Sequence, residues 1–262
     1  MYAAGSTAVV TGAAGGIGRA LAERLSAGGF QLVVADLDPA VGAVAQQLGA
    51  VAFVGDCASE AGVAALADQA HTALGRIDVF FANAGTDVGR GLDTPDAQWA
   101  TALEVNVMAH VRAARALVPE WLEQGGGRFV VTASAAGLLT MLGSAPYSVS
   151  KHGAVAFAEW LRATYGHRGI VVQAICPQGV RTRMLDEAGP LKDLLSRDGA
   201  LDPEEVAELV WQALDGEAFF VLPHPAVAGY YAQRAQHPDA WLAGMQRLQA
   251  KLGALPADGA GS

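Results

Sequence analysis

A chain of 262 residues with 52% hydrophobic and 16% charged side chains can bury a substantial core, which excludes a wholly disordered protein. Its formal net charge is -9, and no Lys/Arg cluster offsets that balance, so a general nucleic-acid binder is excluded as well. No run of about 18 uncharged apolar residues marks a membrane span, and no basic segment leads into a long apolar stretch at the start. The expectation is a soluble cytoplasmic protein.

The cysteines are Cys57 and Cys176, too few for a disulfide framework in a chain of this length. Each follows an apolar run, which predicts burial as a small hydrophobe. The six histidines and two cysteines show no metal-ligand spacing, so no metal is expected.

In chain order, short β-branched runs alternate with helical stretches. A strand is predicted over residues 7–11, followed by Thr11-Gly12-Ala13-Ala14-Gly15-Gly16-Ile17-Gly18 and a helix over 16–27. Glycines there let the backbone turn tightly, and the helix N-terminus offers free N–H groups to a diphosphate. A second strand, 31–35, leads to Asp36, eighteen residues after Gly18. That spacing suits a carboxylate accepting hydrogen bonds from an adenosine ribose, with a cap on the following helix as the alternative. A 2′-phosphate would meet Asp36 and Asp38, while Ala13, Ala14 and Leu37 supply no cation. At 4 Å two unit charges repel by roughly 4 kcal/mol at an effective dielectric near 20, which favours NAD over NADP.

Next come a helix over 39–48, a strand over 51–54, a helix over 60–74 and a strand over 79–82. A long helix over 96–123 contains Pro119, expected to end or kink it. The run Gly125-Gly126-Gly127 then breaks the chain before a strand over 128–132. A helix over 146–165, a strand over 171–175, a helix over 203–214 and a strand over 219–222 follow, with one more helix-like run over 239–252. Near-continuous apolar strands alternating with helices predict one α/β domain, a doubly wound, mostly parallel seven-stranded sheet of Rossmann type. That domain is expected to span residues 1–257, with a frayed tail over 258–262.

Tyr147 and Lys151 stand four apart on the helix over 146–165, and Ser134 stands thirteen residues before the tyrosine. Residues four apart share a helix face. A free tyrosine, with a pKa of about 10, is a poor base at neutral pH. A neighbouring ammonium favours the phenolate and lowers that value. A serine hydroxyl from another element would hold a substrate oxygen beside the phenol. The plainer alternative for Ser134 is a hydrogen bond to its own loop.

With these pieces in place, the chain resembles the short-chain dehydrogenase/reductase family. The matching motifs are Thr11-Gly12-x-x-x-Gly16-x-Gly18, Asn83-Ala84-Gly85, Asn106, Ser134 and Tyr147-x-x-x-Lys151, in the family's order and over roughly residues 5–222. The resemblance implies an NAD-dependent enzyme that interconverts a secondary alcohol and a ketone, with Tyr147 as acid/base and Lys151 also binding the nicotinamide ribose. Asn106 would help position a water and link Lys151 to solvent. Its alternative is a polar residue satisfied inside a helix interface. Asn83 would steady the central sheet, and Asp56 would contact the adenine ring unless it only caps the helix after Ser59. Ile17, Leu37, Cys57, Ala84, Gly85 and Pro177 would line the same cleft, and Val180 and Thr182 match the positions that contact the carboxamide. A catalytically inactive dinucleotide-sensing or scaffold protein of the same fold is the alternative reading.

One residue departs from the family pattern: Gln178 stands where a glycine is usual, and it is expected to reach toward the substrate. Ser134, Leu138, Met141, Gln178, Met184 and Leu185 are the candidate substrate contacts, and their apolar character predicts an apolar substrate body. Residues 181–198 are expected to form a lid, and Tyr230, Tyr231 and Trp241 to cover the pocket or meet a second subunit. The resemblance further implies a homodimer or homotetramer through the helices over 96–123 and 146–165, with Gly153, Ala154, Ala156 and Ala158 allowing close packing.

Overall fold

Residues of alternating parity along each strand feed two separate apolar layers, because successive strand side chains point to opposite faces. The structure, a computed structural model, describes residues 2–253. Its strands are β1 (Thr7–Thr11), β2 (Gln31–Asp36), β3 (Val51–Val54), β4 (Val79–Ala82), β5 (Gly127–Thr132), β6 (Ile170–Ile175) and β7 (Phe220–Val221). They form one seven-stranded sheet in the order β3-β2-β1-β4-β5-β6-β7, and every pairing is parallel.

The helices before β5 are α1 (Gly16–Ala27), α2 (Val41–Leu48), α3 (Glu60–Leu74), α4 (Asp96–Leu103) and α5 (Ala109–Gln124). After β5 come α6 (Ala145–Tyr165), the short α7 (Arg183–Asp186) and α8 (Lys192–Leu195), then α9 (Pro203–Ala213), α10 (Ala226–Gln236) and α11 (Pro238–Gly253). On one face, Val9, Val33, Phe80, Val131 and Val172 pack with the buried sides of α3, α5 and α6. On the other, Val10, Val34, Phe81, Val130 and Ile175 pack with α1, α2 and α9. Trp121 of α5 anchors the first layer, with its indole N–H donated to the Ile77 carbonyl at 2.6 Å.

Expected and observed elements differ in places that have physical reasons. Helix α2 begins at Val41 rather than residue 39, because Asp38 first accepts the Ala40 N–H at 2.9 Å in a turn. Pro119 neither ends nor kinks its helix into separate pieces; α5 runs through to Gln124. Its missing N–H concerns the Arg115 carbonyl, and both residues lie on the exposed face, where water serves instead. The long helix is interrupted elsewhere, by a π-helical turn over Glu104–Met108 between α4 and α5. Helix α10 had no predicted counterpart. The expected tail over 258–262 lies outside the described residues. Among the described residues, no helix is long and apolar enough to cross a membrane.

The small residues of α6 do not all face outward as expected. Ala154 and Ala158 are fully buried in the domain's own core, and a methyl group on Gly153 would meet Val107 of the π-helical turn at 3.1 Å. What α6 presents outward is Val149 and Trp160, both about half exposed.

Candidate active site

In this strand order β1 has β2 on one side and β4 on the other, so the connections on the two sides leave in opposite directions. Such a switch point opens a crevice beyond the carboxyl ends of the strands. Thr11, the last residue of β1, closes its floor. Its hydroxyl donates to the Phe81 carbonyl at 3.2 Å and accepts the Asn83 and Ala84 N–H groups, both at 3.0 Å. The Asn83 amide donates back to the Thr11 carbonyl at 2.9 Å. Asn83 therefore fastens β4 to β1, the sheet-steadying role expected of it.

The Gly-rich turn leaves β1 with Gly12 at a positive φ of 69°. A Cβ on Gly18 would fall 2.1 Å from the Gly12 carbonyl oxygen, so only glycine permits this approach of α1 to the turn. Gly15 caps α1 without any side chain, so the helix N-terminus is left open. Gly12, Gly16, Ile17 and Gly18 line a cavity of 1220 Å³. Asp36, Leu37, Asp56, Cys57, Asn83, Ala84 and Gly85 continue along the same wall.

Asp36 does more than end its strand. One carboxylate oxygen accepts the Ala14 N–H at 2.9 Å and the other the Asp38 N–H at 3.0 Å, which ties the Gly-rich turn to β2. Each oxygen keeps a further lone pair toward the cavity. Asp56 accepts the Ala58 N–H at 2.8 Å, and that bond holds its carboxyl below the usual range. Ser59, not Asp56, caps α3 through the Gly62 N–H. Burial pushes the thiols of Cys57 and Cys176 up to about 12, so both are inert hydrophobes at neutral pH.

At the other end, Tyr147 and Lys151 project from the first turns of α6, and Ser134 lies just beyond β5. All three line the cavity. The Lys151 ammonium lies 5.6 Å from the Tyr147 ring centre and donates to the Thr132 carbonyl at 2.9 Å. A methyl group on Gly85 would come within 3.2 Å of both Lys151 Nζ and Asn106 Oδ1, so this glycine lets the β4 loop run between them. Burial dominates the electrostatics. It lowers Lys151 to about 8 and raises Tyr147 to about 12, although a hydrogen bond with Ser134 pulls the phenol the other way. The sequence predicts a lowered phenol; in the protein with no ligand bound, desolvation outweighs the hydrogen bond with Ser134.

Asn106 sits in the π-helical turn, wholly buried, and does not line the cavity. Its carbonyl oxygen accepts the Thr86 N–H at 2.9 Å, and its amide donates to the Thr86 carbonyl at 2.8 Å and the Ser150 hydroxyl at 2.9 Å. Both ends of the side chain are engaged, and together they hold the loop over 83–86 that passes Lys151.

A family model described as short chain dehydrogenase matches residues 6–192, well over half of the chain. The chain belongs to the short-chain dehydrogenase family. Among its relatives, the 1-deoxy-11-beta-hydroxypentalenate dehydrogenase of Streptomyces exfoliatus is 36% identical over 89% of this chain and 88% of its own. An uncharacterized NAD-dependent oxidoreductase of Mycobacterium tuberculosis is 33% identical over 81% of this chain and 90% of its own. A solved short chain dehydrogenase/reductase from Burkholderia phymatum, in complex with NAD, superposes with a TM-score of 0.83 at 30% identity and full coverage of both chains. This short-chain dehydrogenase is an oxidoreductase of a fold that binds a nicotinamide dinucleotide. Its own residues fit that group: an open helix N-terminus, a glycine-only approach at Gly18, and one cavity that runs from Asp36 to Tyr147.

On the substrate side, Met141, Gln178, Met184 and Leu185 line the cavity, together with Pro177, Val180 and Thr182. Leu138 does not. The tight turn over Ala135–Gly137 sends it into the core against α6, and Leu139 takes the lining position. Gln178 Oε1 is buried with no partner. The backbone of Gln178 is held by its N–H donating to His224 Nδ1 at 3.1 Å, with His224 Nε2 at 3.1 Å from the Gly199 carbonyl. Burial holds His224 below its ordinary pKa, which suits this neutral, bridging ring. His224 is thus a structural residue.

The expected lid is two short helices, α7 and α8, joined by a 3-10 turn over Gly189–Leu191. Its base is pinned where Gly179 and Leu201 exchange backbone bonds with the lid's ends, and where Arg181 pairs with Asp202 at 2.5 Å. Tyr230 of α10 and Trp241 of α11, expected to cover the pocket or meet a second subunit, line the cavity, and so do Met245 and Leu248, which sequence reasoning did not single out. The spacing 241, 245, 248 is the signal that marks this face.

Because burial places Lys151 at about 8 against an ordinary 10.5, the unfolded chain holds the extra proton between those values. Stability therefore rises as pH climbs through that window. Lys151→Met should stabilise the ligand-free protein near pH 7. The gain is bounded by about 3 kcal/mol from the shift, less about 1 kcal/mol for the lost bond to Thr132. Urea unfolding at pH 7 and pH 9.5 checks this: the gap should shrink at the higher pH, and a constant or widening gap would refute the desolvation argument.

Proposed function

We propose that the protein is an NAD-dependent oxidoreductase that interconverts a secondary alcohol and a ketone on an apolar substrate body. The observation that carries this reading is the convergence of Ser134, Tyr147 and Lys151 on one cavity with the Gly-rich turn. In oxidation, Tyr147 as tyrosinate takes the proton of the substrate hydroxyl on Oη; in reduction the neutral phenol gives its proton to the carbonyl oxygen. Ser134 Oγ holds that same oxygen. The Lys151 charge favours the phenolate at short range, opposing the desolvation that burial imposes. Nicotinamide, when bound, supplies or accepts the hydride. Lys151 also takes the nicotinamide ribose, with Val180 and Thr182 at the carboxamide. Asn106 keeps Lys151 in register through the loop at Gly85, and by that placement serves the water-borne proton path from Lys151.

Gln178 Oε1, buried and unpaired, accepts a hydrogen bond from a donor group on the substrate. The substrate-side lining of Leu139, Met141, Met184, Leu185 and Leu195 supports an apolar body. A relative's name, 1-deoxy-11-beta-hydroxypentalenate dehydrogenase, agrees with a hydroxyl as the oxidised group. Two free, buried thiols suit the reducing cytoplasm.

Tyr147→Phe should lower kcat for any accepted alcohol by about 10²–10⁴-fold, while dinucleotide binding measured by fluorescence stays within twofold. Activity that survives the substitution would refute the acid/base assignment. A wild-type protein that binds NAD yet turns over no alcohol or ketone would instead be a dinucleotide sensor.

The adenosine end of the cavity carries Asp36, Asp38 and Asp56 and no cation among its lining residues. That supports NAD over NADP. Asp36→Ala should narrow the preference for NAD, read as the ratio of kcat/KM values, by at least about tenfold, in line with a like-charge repulsion of a few kcal/mol. An unchanged ratio would remove Asp36 from the selection.

We further read the exposed Val149 and Trp160 of α6 and Leu103 at the end of α4 as a self-association face. A light-scattering mass of a dimer or tetramer is expected. A monomer at micromolar concentration would rule it out.

A further inference from the structure

Helix α11 lines the cavity, and its first turn, at Trp241, packs on Tyr230 of α10 near the substrate end. Its neighbour α10 is tied there: Arg234 donates to the Leu138 carbonyl and to His152 Nε2, one residue beyond Lys151. Tyr230 of α10 donates to Asp198 of the lid at 3.2 Å, and its ring lies 6.4 Å from that of Trp241. Along α11, positions 241, 244, 245 and 248 line the cavity, flanked by 247 and 251.

Two observations on this helix point to a ligand group. Trp241 Nε1 is shut away from solvent with no hydrogen-bond partner. Indole is a donor only, so the partner it lacks is an acceptor. Second, the cavity lining from residue 183 onward holds Arg183, Arg197, Arg247 and Lys251 against the single carboxylate of Asp198. Arg183 is paired with Glu187 at 3.4 Å. Arg197, Arg247 and Lys251 have no carboxylate partner among the described residues. This cationic rim belongs to a chain whose net charge is -9. Arg247 and Lys251 are exposed and four apart, so both stand at the mouth on one helix face.

We propose that α11 reads a carboxylate on the substrate, so that the preferred substrate is an apolar hydroxy or keto acid. Trp241 Nε1–H donates to one carboxylate oxygen, and Arg247 and Lys251 draw the anion to the mouth and hold it there. The apolar face of Met245 and Leu248 covers the body between the carboxylate and Tyr147. This specificity rests on the alcohol/ketone reading above, yet it is a property of different residues and is separable from it.

The test uses matched pairs: cyclic secondary-alcohol carboxylic acids, steroid and terpenoid, and their methyl esters. Wild-type kcat/KM should favour the acids at least tenfold, and that preference should fall as sodium chloride rises from 20 to 300 mM, while ester rates stay flat. Arg247→Gln with Lys251→Gln should remove the salt dependence, and Trp241→Phe should raise KM about fivefold more for the acids than for the matched esters. Calorimetric titration of acid and ester into the protein with saturating NAD judges the inference without turnover. Equal binding of acid and ester overturns it. So does a rise in the KM for NAD in the Arg247/Lys251 variant, which would assign those cations to the cofactor diphosphate. If acids bind preferentially but no alcohol is oxidised, the alcohol/ketone reading fails and the carboxylate site stands.

Discussion

The arrangement depends on keeping one ammonium out of water beside one phenol. Lys151 is almost wholly buried, and Thr132 gives it a single backbone acceptor. Burial disfavours the charged form of both partners, which is why the lysine falls to about 8 and the tyrosine rises to about 12. At neutral pH the lysine is still mostly protonated and the phenol neutral. The site therefore holds one poised positive charge and one retained proton, at a cost to stability. Such a cost is borne only where surrounding structure over-determines the geometry. Here the end of β5, the first turns of α6 and the loop after β4 converge on the same ammonium, and Asn106 locks that loop from behind.

The same constraint explains the π-helical turn. An uninterrupted α-helix from α4 into α5 would carry Asn106 at a different rotation. The extra residue of the π turn shifts the register, so that the amide reaches both polar atoms of Thr86 while Ser150 meets it from α6. Turns of this kind recur at functional sites for such reasons. The Thr11–Asn83 clamp does the equivalent work one strand away. With β1 and β4 fastened at their carboxyl ends, the glycine turn and the loop holding Lys151 form two walls of one crevice. Cofactor cradle and proton-handling pair are thus neighbours by construction of the sheet.

Much of this was legible in the chain, for local reasons. The strands show because parallel strands covered on both faces are continuous apolar runs, and the glycine turn shows because Gly18 stands where no other residue fits. Tyr147, Lys151 and Ser134 were legible as a spacing. What was hidden required knowledge of direction or register. Leu138 and Leu139 are equally apolar, and only the turn before them decides which faces the core. Ala154 and Ala158 look like an interface stripe, but the helix rotation turns them inward. The π turn has no local signal at all. Spacing reports the cation beside the phenol and says nothing about the depth of burial. Helix α10 carries little periodic signal because its polar residues, Gln233, Arg234 and Gln236, dilute a short apolar face.

The carboxylates and the cations of the cavity lining come from different parts of the chain, and that difference follows from the fold. The carboxylates Asp36 and Asp56 end strands β2 and β3 or follow them directly, where each also serves the backbone by accepting N–H bonds. They cannot be neutralised without loosening the turns they hold. The cations come from elements added after β6, in the lid and α11, which the sheet does not constrain. Carboxylates rooted on the sheet and cations carried on appended helices can therefore vary separately. Gln178 stands at the seam between the two, its backbone fixed by His224 and its amide oxygen unpaired. A buried acceptor left open in this way carries a desolvation cost of about 1–3 kcal/mol. The fold does not recover that energy within the chain.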